Sequence, residues 1–413
     1  MNIVVLCPHF APDTAPTGTV MTGIVHGLAE RGHEIHVVTS LPWYREHAVD
    51  SAWTGRLMRT ERVEWGSITR VHPFPGNDKR NLLRRAVGFV GFTLLAAVGA
   101  LRAGGPLRRV DAVLAMSPPL TLGPTGWFVA KARRGRFVFN IQDVFPDAAV
   151  RTGALSNARV IALAERLERL SYRMADVVTV LSDDLAENVL SKLPRSAKKQ
   201  GTEVVVIPNF VDMTLFEAAA TGESYRAEFG LGSGPVVMYA GNLGFSQSLD
   251  LVVKLAEARP HLTVVINGDG TARAVLQTDA DRLPNLHLIG YQPVERLPEV
   301  LAAADIHLVP LKAGLGSVSV PSKTYSILAA RRPVIASIDR GTAIEQLLNE
   351  SGAGIVVDPD RPDMLIEAID ALIADEPRRA SMGNAGHSWV REHASPETAA
   401  SMYERVLSDR AAG

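Results

Sequence analysis

An α/β fold made of two doubly wound parallel sheets is what this sequence predicts, and three observations lead there. Short β-rich apolar runs alternate with helix-period stretches from end to end of the 413 residues, the pattern of parallel strands joined by crossover helices. The runs fall into two series separated by a polar, glycine-bearing stretch at 208–234, and a chain of this length holds two or three cores. With 46% hydrophobic and 21% charged residues, the composition is that of an ordinary globular protein.

The first run, 3–7, has no basic leader before it and no small-residue cleavage site, so it reads as a strand rather than a secretory signal. It passes through CPHFAPDTAPTG into a helix whose buried face is expected at Val20, Ile24 and Leu28. Strands are then expected at 34–39, 111–116, 136–141, 177–181 and 204–207. The second series runs through 236–239, 262–266, 286–289, 306–309, 334–336 and 355–357. With Lys198, Lys199, Gln200 and Gly201 just before the break, the domains fall at 1–205 and 206–395. The closing stretch 388–407 is helical after Pro396 and either caps the second domain or crosses back to the first.

One segment is unlike the rest. At 78–102, the basic KRNLLRR is followed by sixteen residues without formal charge, AVGFVGFTLLAAVGAL, fewer than the roughly 20 that span a bilayer. A buried core helix is the leading expectation, an in-plane helix on anionic lipid its competitor, and a membrane span the least expected. The net charge of -1 gives no reason to expect nucleic acid as the main partner. Cys7 is the single cysteine, so no disulfide framework or cysteine metal cluster forms within one chain, and a cytosolic compartment is expected.

The second series carries the denser chemistry. MYAGNLGFSQSLD places Asn242, Gly244, Ser246 and Gln247 after a strand, where small residues admit phosphate oxygens and amides donate to them. INGDGTA puts Gly268 and Gly270 after the next strand, and IGYQP puts Tyr291 after the third. At 314–337, GLGSVSVPSKTYSILAARRPVIAS runs from a loop with Gly314, Gly316 and Ser317 into Pro321, which suits a first helical turn. Ser322 and Lys323 then sit at the positive end of that helix, with Lys323 adding a point charge for an anion. Singly, each loop is also an ordinary strand-to-helix connection; together they make a coherent nucleotide site.

In the first half, Thr17, Gly18 and Thr19 open the first helix, as a tight turn or as amides for a phosphate or sugar; the spacing is not that of dinucleotide folds. NIQDVFPDAAVRTG sets Asn140, Gln142, Asp143 and Asp147 past the 136–141 strand, where a hydroxylated ligand is hydrogen-bonded or deprotonated. Asp147 alternatively caps a helix. Doubly wound sheets bind ligands outside the carboxyl ends of their strands, so the site is expected in a cleft between facing domains.

These segments resemble a known family, the retaining glycosyltransferases of two-Rossmann-domain (GT-B, glycosyltransferase family 4) architecture. The likeness spans essentially the whole chain, through GHEIHVVT, ADVVTVLS, VIPNFVD, YAGNLG, GDG, ADIHLVPL and REHASPETAASMYERVL. QDVFPDAAV and the VPSK and ILAARRPV segments are most similar to the bacterial cell-surface polysaccharide branch that includes enzymes assigned as fucosamine transferases. The resemblance implies two Rossmann-like domains facing a cleft, with the last helix, 396–413, crossing back to the first. In matching register, the wider family's two donor-binding glutamates fall at Val318 and Ser326, and its donor-phosphate arginine and lysine fall at Asn242 and Gln247. A frequent acceptor-side histidine falls at Gln142, leaving Asp143 as the nearest ionisable group.

The implied activity is transfer of a hexosyl or N-acetylhexosaminyl group from a nucleotide sugar, expected to be UDP-linked, to a hydroxyl with retained configuration. The expected acceptor is a lipid-linked glycan at the cytosolic membrane face, with contact to anionic lipid through 79–101. The nucleotide sugar is a substrate, and neither cofactor nor metal is implied. Lys323, beside Ser322, is the first candidate to hold the diphosphate, and Asp143 is the acceptor-side candidate. Three rivals stay open: transfer to a soluble small molecule, a UDP-sugar 2-epimerase-like isomerase, and a non-catalytic sugar-nucleotide-binding subunit.

Overall fold

Strands that are apolar on both faces need cover on both, and most strands of this chain are of that kind. In the computed structural model, which describes residues 1–13, 15–43, 48–74, 82–106, 108–193, 202–217 and 220–408, they form two sheets. The chain divides into two compact units: Met1–Ala148 with Leu155–Pro208 and Pro396–Gly413, and Ala149–Ala154 with Asn209–Ser395.

The first unit holds β1 (Asn2–Leu6), β2 (Glu34–Ser40), β3 (Met58–Val63), β4 (Gly66–Val71), β5 (Ala112–Ser117), β6 (Arg136–Ile141), β7 (Val177–Val180) and β8 (Glu203–Val206). Their order across the sheet is β3-β4-β2-β1-β5-β6-β7-β8, parallel except for β3. The β3–β4 hairpin was not expected. β3 reads MRTERV and is half solvated, so its polar residues hide an antiparallel edge strand that continues a parallel sheet. Helix α1 (Pro16–Glu30) starts with proline in its first turn and buries Met21, Ile24, Val25 and Leu28. Val20 lies only at the edge of this face, because a spacing of four drifts around a helix of 3.6 residues per turn.

The final helix, Pro396–Ser408, lies against α1 in this unit. Gly27 allows the approach, since a Cβ there would stand 2.7 Å from Ala400 Cβ. Arg31 Nε and the His33 ring hold Glu404 at 2.7 and 2.8 Å, while Asn140 Nδ2 donates to Tyr403 Oη at 2.7 Å.

On the sheet's other helical layer, α3 (Leu122–Arg133) packs between α2 (Leu82–Arg102) and α5 (Ala158–Met174). Helix α2 buries Phe92, Ala96 and Ala100 but turns Val90, Leu94 and Val98 outward, 55%, 62% and 39% exposed. It is therefore not the fully buried core helix its composition suggests. Lys79 and Arg80, like Lys198 to Gly201, lie outside the described residues. Among the described residues no helix is long and apolar enough to cross a membrane.

The second unit holds β9 (Val236–Ala240), β10 (Thr263–Asn267), β11 (Leu286–Ile289), β12 (Ile306–Pro310), β13 (Val334–Ser337) and β14 (Gly354–Val357). All six are parallel, in the order β11-β10-β9-β12-β13-β14. Numbered within the unit this is 3-2-1-4-5-6, the doubly wound order whose direction reverses between its first and fourth strands. The reversal, between β9 and β12, sends their outgoing loops to opposite faces and leaves a crevice at their carboxyl ends.

Candidate functional site

Lys323 belongs to that end of the second sheet. It opens the helix Lys323–Ala329, and the turn before it is closed by Thr324 Oγ1 donating to Pro321 O at 2.9 Å. The residue is half-buried, but its amine runs inward and out of solvent. Nζ stands 3.8 Å from the centre of the Tyr239 ring, and a Cβ added to Gly241 would come within 2.8 Å of it. Nζ has no hydrogen-bond acceptor among the described residues. Burial pushes its pKa from 10.5 down to about 7, while the face of Tyr239 favours the charged form. An amine buried in this way costs stability until an anion pairs with it.

The strand-end glycines are needed for packing. Gly241 and Gly268 have φ of +140° and +159°, and a side chain at Gly268 would collide with the Gly241 carbonyl. Gly270, at φ +153°, lies against Leu243 O and Asn242. These close approaches draw Asn242, Gly244, Gly268 and Gly270 into one cluster beside Lys323 and Tyr239, and Tyr239 Oη donates to Asn242 O at 2.6 Å. Arg273 Nη1 adds a cation, donating to Gly268 O at 2.9 Å. Sequence reading missed Tyr239 and Arg273, because nothing in their spacing marks them and only strand pairing brings them to the cluster.

Several expected donors are already spent. Gly244 N donates to Gln247 Oε1 at 3.1 Å, and Gln247 Nε2 donates to Ser246 Oγ at 2.8 Å, so this pair braces its own loop. Gly314 N and Gly316 N both donate to Asp339, at 2.9 and 3.0 Å. A carboxylate of the same unit thus already accepts from both of these amides. Ser317 Oγ accepts from Arg151 at 2.9 Å, and Arg151 also donates to Gly314 O. Val318 is fully buried with the core, as an apolar side chain in place of a carboxylate should be. Ser322 and Ser326 are half-buried, while Tyr291 is exposed beyond β11.

In the first unit, Gly18 N and Thr19 N both donate to Ala15 O, at 2.8 and 3.1 Å, which leaves Thr17 at the head of α1. Gly18 makes room for His9, 3.0 Å from where its Cβ would be. His9 Nδ1 lies 2.6 Å from Asp13 Oδ2 and its ring stacks on Trp43, a grouping the sequence did not disclose. Gln142 is buried, and its Nε2 donates to Asn140 Oδ1 at 2.9 Å. Asn140 in turn bonds Thr179 and Tyr403. Through Asn140, the Gln142 amide is thus linked to the bond that secures the final helix. Asp143 follows β6, half-buried. Asp147 heads α4 (Asp147–Arg151) and is bound by Lys192 at 2.9 Å.

Two doubly wound units, each dominated by a parallel sheet, with the last helix returned to the first, define the GT-B class of fold. The profile described as "Glycosyl transferase 4-like domain" matches residues 17–209, and that described as "Glycosyl transferases group 1" matches residues 223–389. The chain belongs to glycosyltransferase family 4. It is 26% identical over 383 residues to WcaI of Escherichia coli, named for colanic acid biosynthesis, covering 89% of this chain and 91% of that protein. It is 26% identical over 387 residues to the glycosyltransferase WbjE of Pseudomonas aeruginosa, covering 87% and 94%. The fold matches sucrose-phosphate synthase of Thermosynechococcus elongatus with TM-score 0.77 at 16% identity over 98% of both chains. It also matches Anabaena HepE in complex with UDP and glucose, with TM-score 0.71 at 15% identity over 99% of both.

Proposed function

We propose that this glycosyltransferase moves a sugar from a UDP-sugar to a hydroxyl of a lipid-linked glycan, with retention, in the building of a cell-surface polysaccharide. The observation that carries the reading is the buried, acceptor-less amine of Lys323 at the switch point of the second sheet. A diphosphate is the anion that would pair it, with Ser322, Asn242 and the Gly244 loop alongside. As the glycosidic bond breaks, charge builds on the leaving diphosphate, and a preorganised cation stabilises it without reorganisation. The acceptor oxygen bonds to the anomeric carbon and UDP departs. Asp143, just beyond β6, orients that hydroxyl or takes its proton late. The HepE structure with UDP supports a uridine nucleotide, and the name of WcaI supports a polysaccharide product. Contact with anionic lipid through 79–101 would bring the acceptor within reach.

A second reading, a sugar-nucleotide-binding subunit without catalysis, is favoured by Val318, whose burial leaves no carboxylate for the donor. Relatives named for GDP-mannose make the nucleotide itself worth testing. Thermal-shift binding of UDP, GDP, ADP and their sugars to wild type and Lys323→Ala should give a UDP-selective shift that shrinks in the variant. No shift with any nucleotide would sink the transferase reading, and binding without product under any acceptor supply would favour the subunit.

A further inference from the structure

Arg151 lies in the chain among elements of the first unit but belongs, with Ala149–Ala154, to the second. It closes α4, is exposed, and reaches the loop that leads into Lys323. Carboxylates of the second unit already hold that loop by its amides: Ala313 N donates to Asp360 at 3.3 Å, and Gly314 N and Gly316 N donate to Asp339. Arg151 brings the opposite charge, its Nη1 donating to Gly314 O and, at 2.9 Å, to Ser317 Oγ.

A guanidinium carries five N–H groups, two of them on each Nη. Gly314 O and Ser317 Oγ use the two on Nη1, so the Nε–Nη2 edge stays whole, without a partner among the described residues. That edge is the fork that meets two oxygens of a phosphate or carboxylate. Anchoring through Nη1 fixes its direction, which lowers the cost of ordering it when an anion binds. Bracing the loop asks for no charge, since a neutral amide also donates to two oxygens.

From Ser317 the chain runs on to a second cation. Ser317, Ser319 and Ser322 are half-buried, while Val318 and Val320 between them are buried. The hydroxyls therefore come to the surface and the apolar side chains go to the core. The row ends at Lys323, whose buried Nζ has no acceptor among the described residues. A row of hydroxyls with a cation at each end suits an anionic, hydroxylated ligand.

We infer that Arg151 is a second oxyanion receptor of the donor site, gripping the sugar nucleotide through its Nε–Nη2 edge while Lys323 holds it at the other end of the serine row. The inference rests on the nucleotide-sugar reading and deepens it. The oxyanion is a phosphate of the nucleotide or the carboxylate of an acidic sugar.

The test is calorimetric titration of the full chain with UDP, UDP-glucose and UDP-glucuronic acid. Wild type, Arg151→Gln and Ser317→Ala are compared, with the melting temperature of each. Arg151→Gln should lose about tenfold in affinity, the low end for a hydrogen bond to a charged group because the residue is exposed. Its melting temperature should not move. An equal loss for all three ligands assigns the oxyanion to the diphosphate, and a loss confined to UDP-glucuronic acid assigns it to the sugar. Ser317→Ala, which keeps the charged edge, should lose at most a few-fold. Wild-type affinity of Arg151→Gln for all three ligands would overturn the inference. So would equal losses in the two variants with parallel falls in melting temperature, the result of a brace alone. Binding weakened in Lys323→Met but unchanged in Arg151→Gln strikes this inference only, whereas no binding of any nucleotide by wild type strikes the reading beneath it as well.

Discussion

The Lys323 amine lies out of water over the Tyr239 ring with no acceptor, and from this the effect of Lys323→Met follows. Methionine keeps the length and removes the unpaired group, so the ligand-free protein should gain about 1–3 kcal/mol, read by denaturant titration. UDP affinity should fall about 10–100-fold, the worth of a charge-assisted hydrogen bond. A purely structural lysine would not give gain and loss together. The sign with pH follows from the depressed pKa: between about 7 and 10.5 the unfolded chain binds the proton and the folded one does not. Wild-type stability is therefore full above 10.5 and is lost as pH falls towards 7, a slope that Lys323→Met should lack. Lys323 was legible in sequence because a proline, a serine and a lysine at a helix start have local meaning. The capture of Gly314 and Gly316 by Asp339 was not, since that carboxylate lies more than twenty residues along the chain.

At the scale of elements, the strands of the parallel sheets were legible because burial on both faces writes them as continuous apolar runs. β3 was not, since an edge strand with Arg59, Glu61 and Arg62 carries no such run. The contact of α1 with the final helix depends on Gly27, so Gly27→Val should overpack it and cost about 1–3 kcal/mol, measured as a lowered unfolding midpoint. Tyr403→Phe should cost about 1–3 kcal/mol by leaving the buried Asn140 amide short of a partner. Neither change should alter UDP affinity, since both lie in the unit without Lys323.

For the whole molecule, two runs of strands announced two sheets, but not that Ala149–Ala154 would belong with the second unit. That placement depends on contacts such as Arg151 with Ser317, which no local pattern encodes. Ending the chain at Ser395 should expose the α1 face and lower the first unit's melting temperature, while UDP binding stays near the wild-type value. The account stands most directly on the pairing of Lys323 with a diphosphate. Calorimetric UDP affinity between about pH 6 and 9, in wild type and Lys323→Met, tests it, because nucleotide titration is common to both and cancels in their ratio. The wild-type advantage should be full below about pH 7 and shrink above it by up to about tenfold per unit, as the free amine loses its proton. Equal affinities with the same pH profile in both proteins would contradict the account.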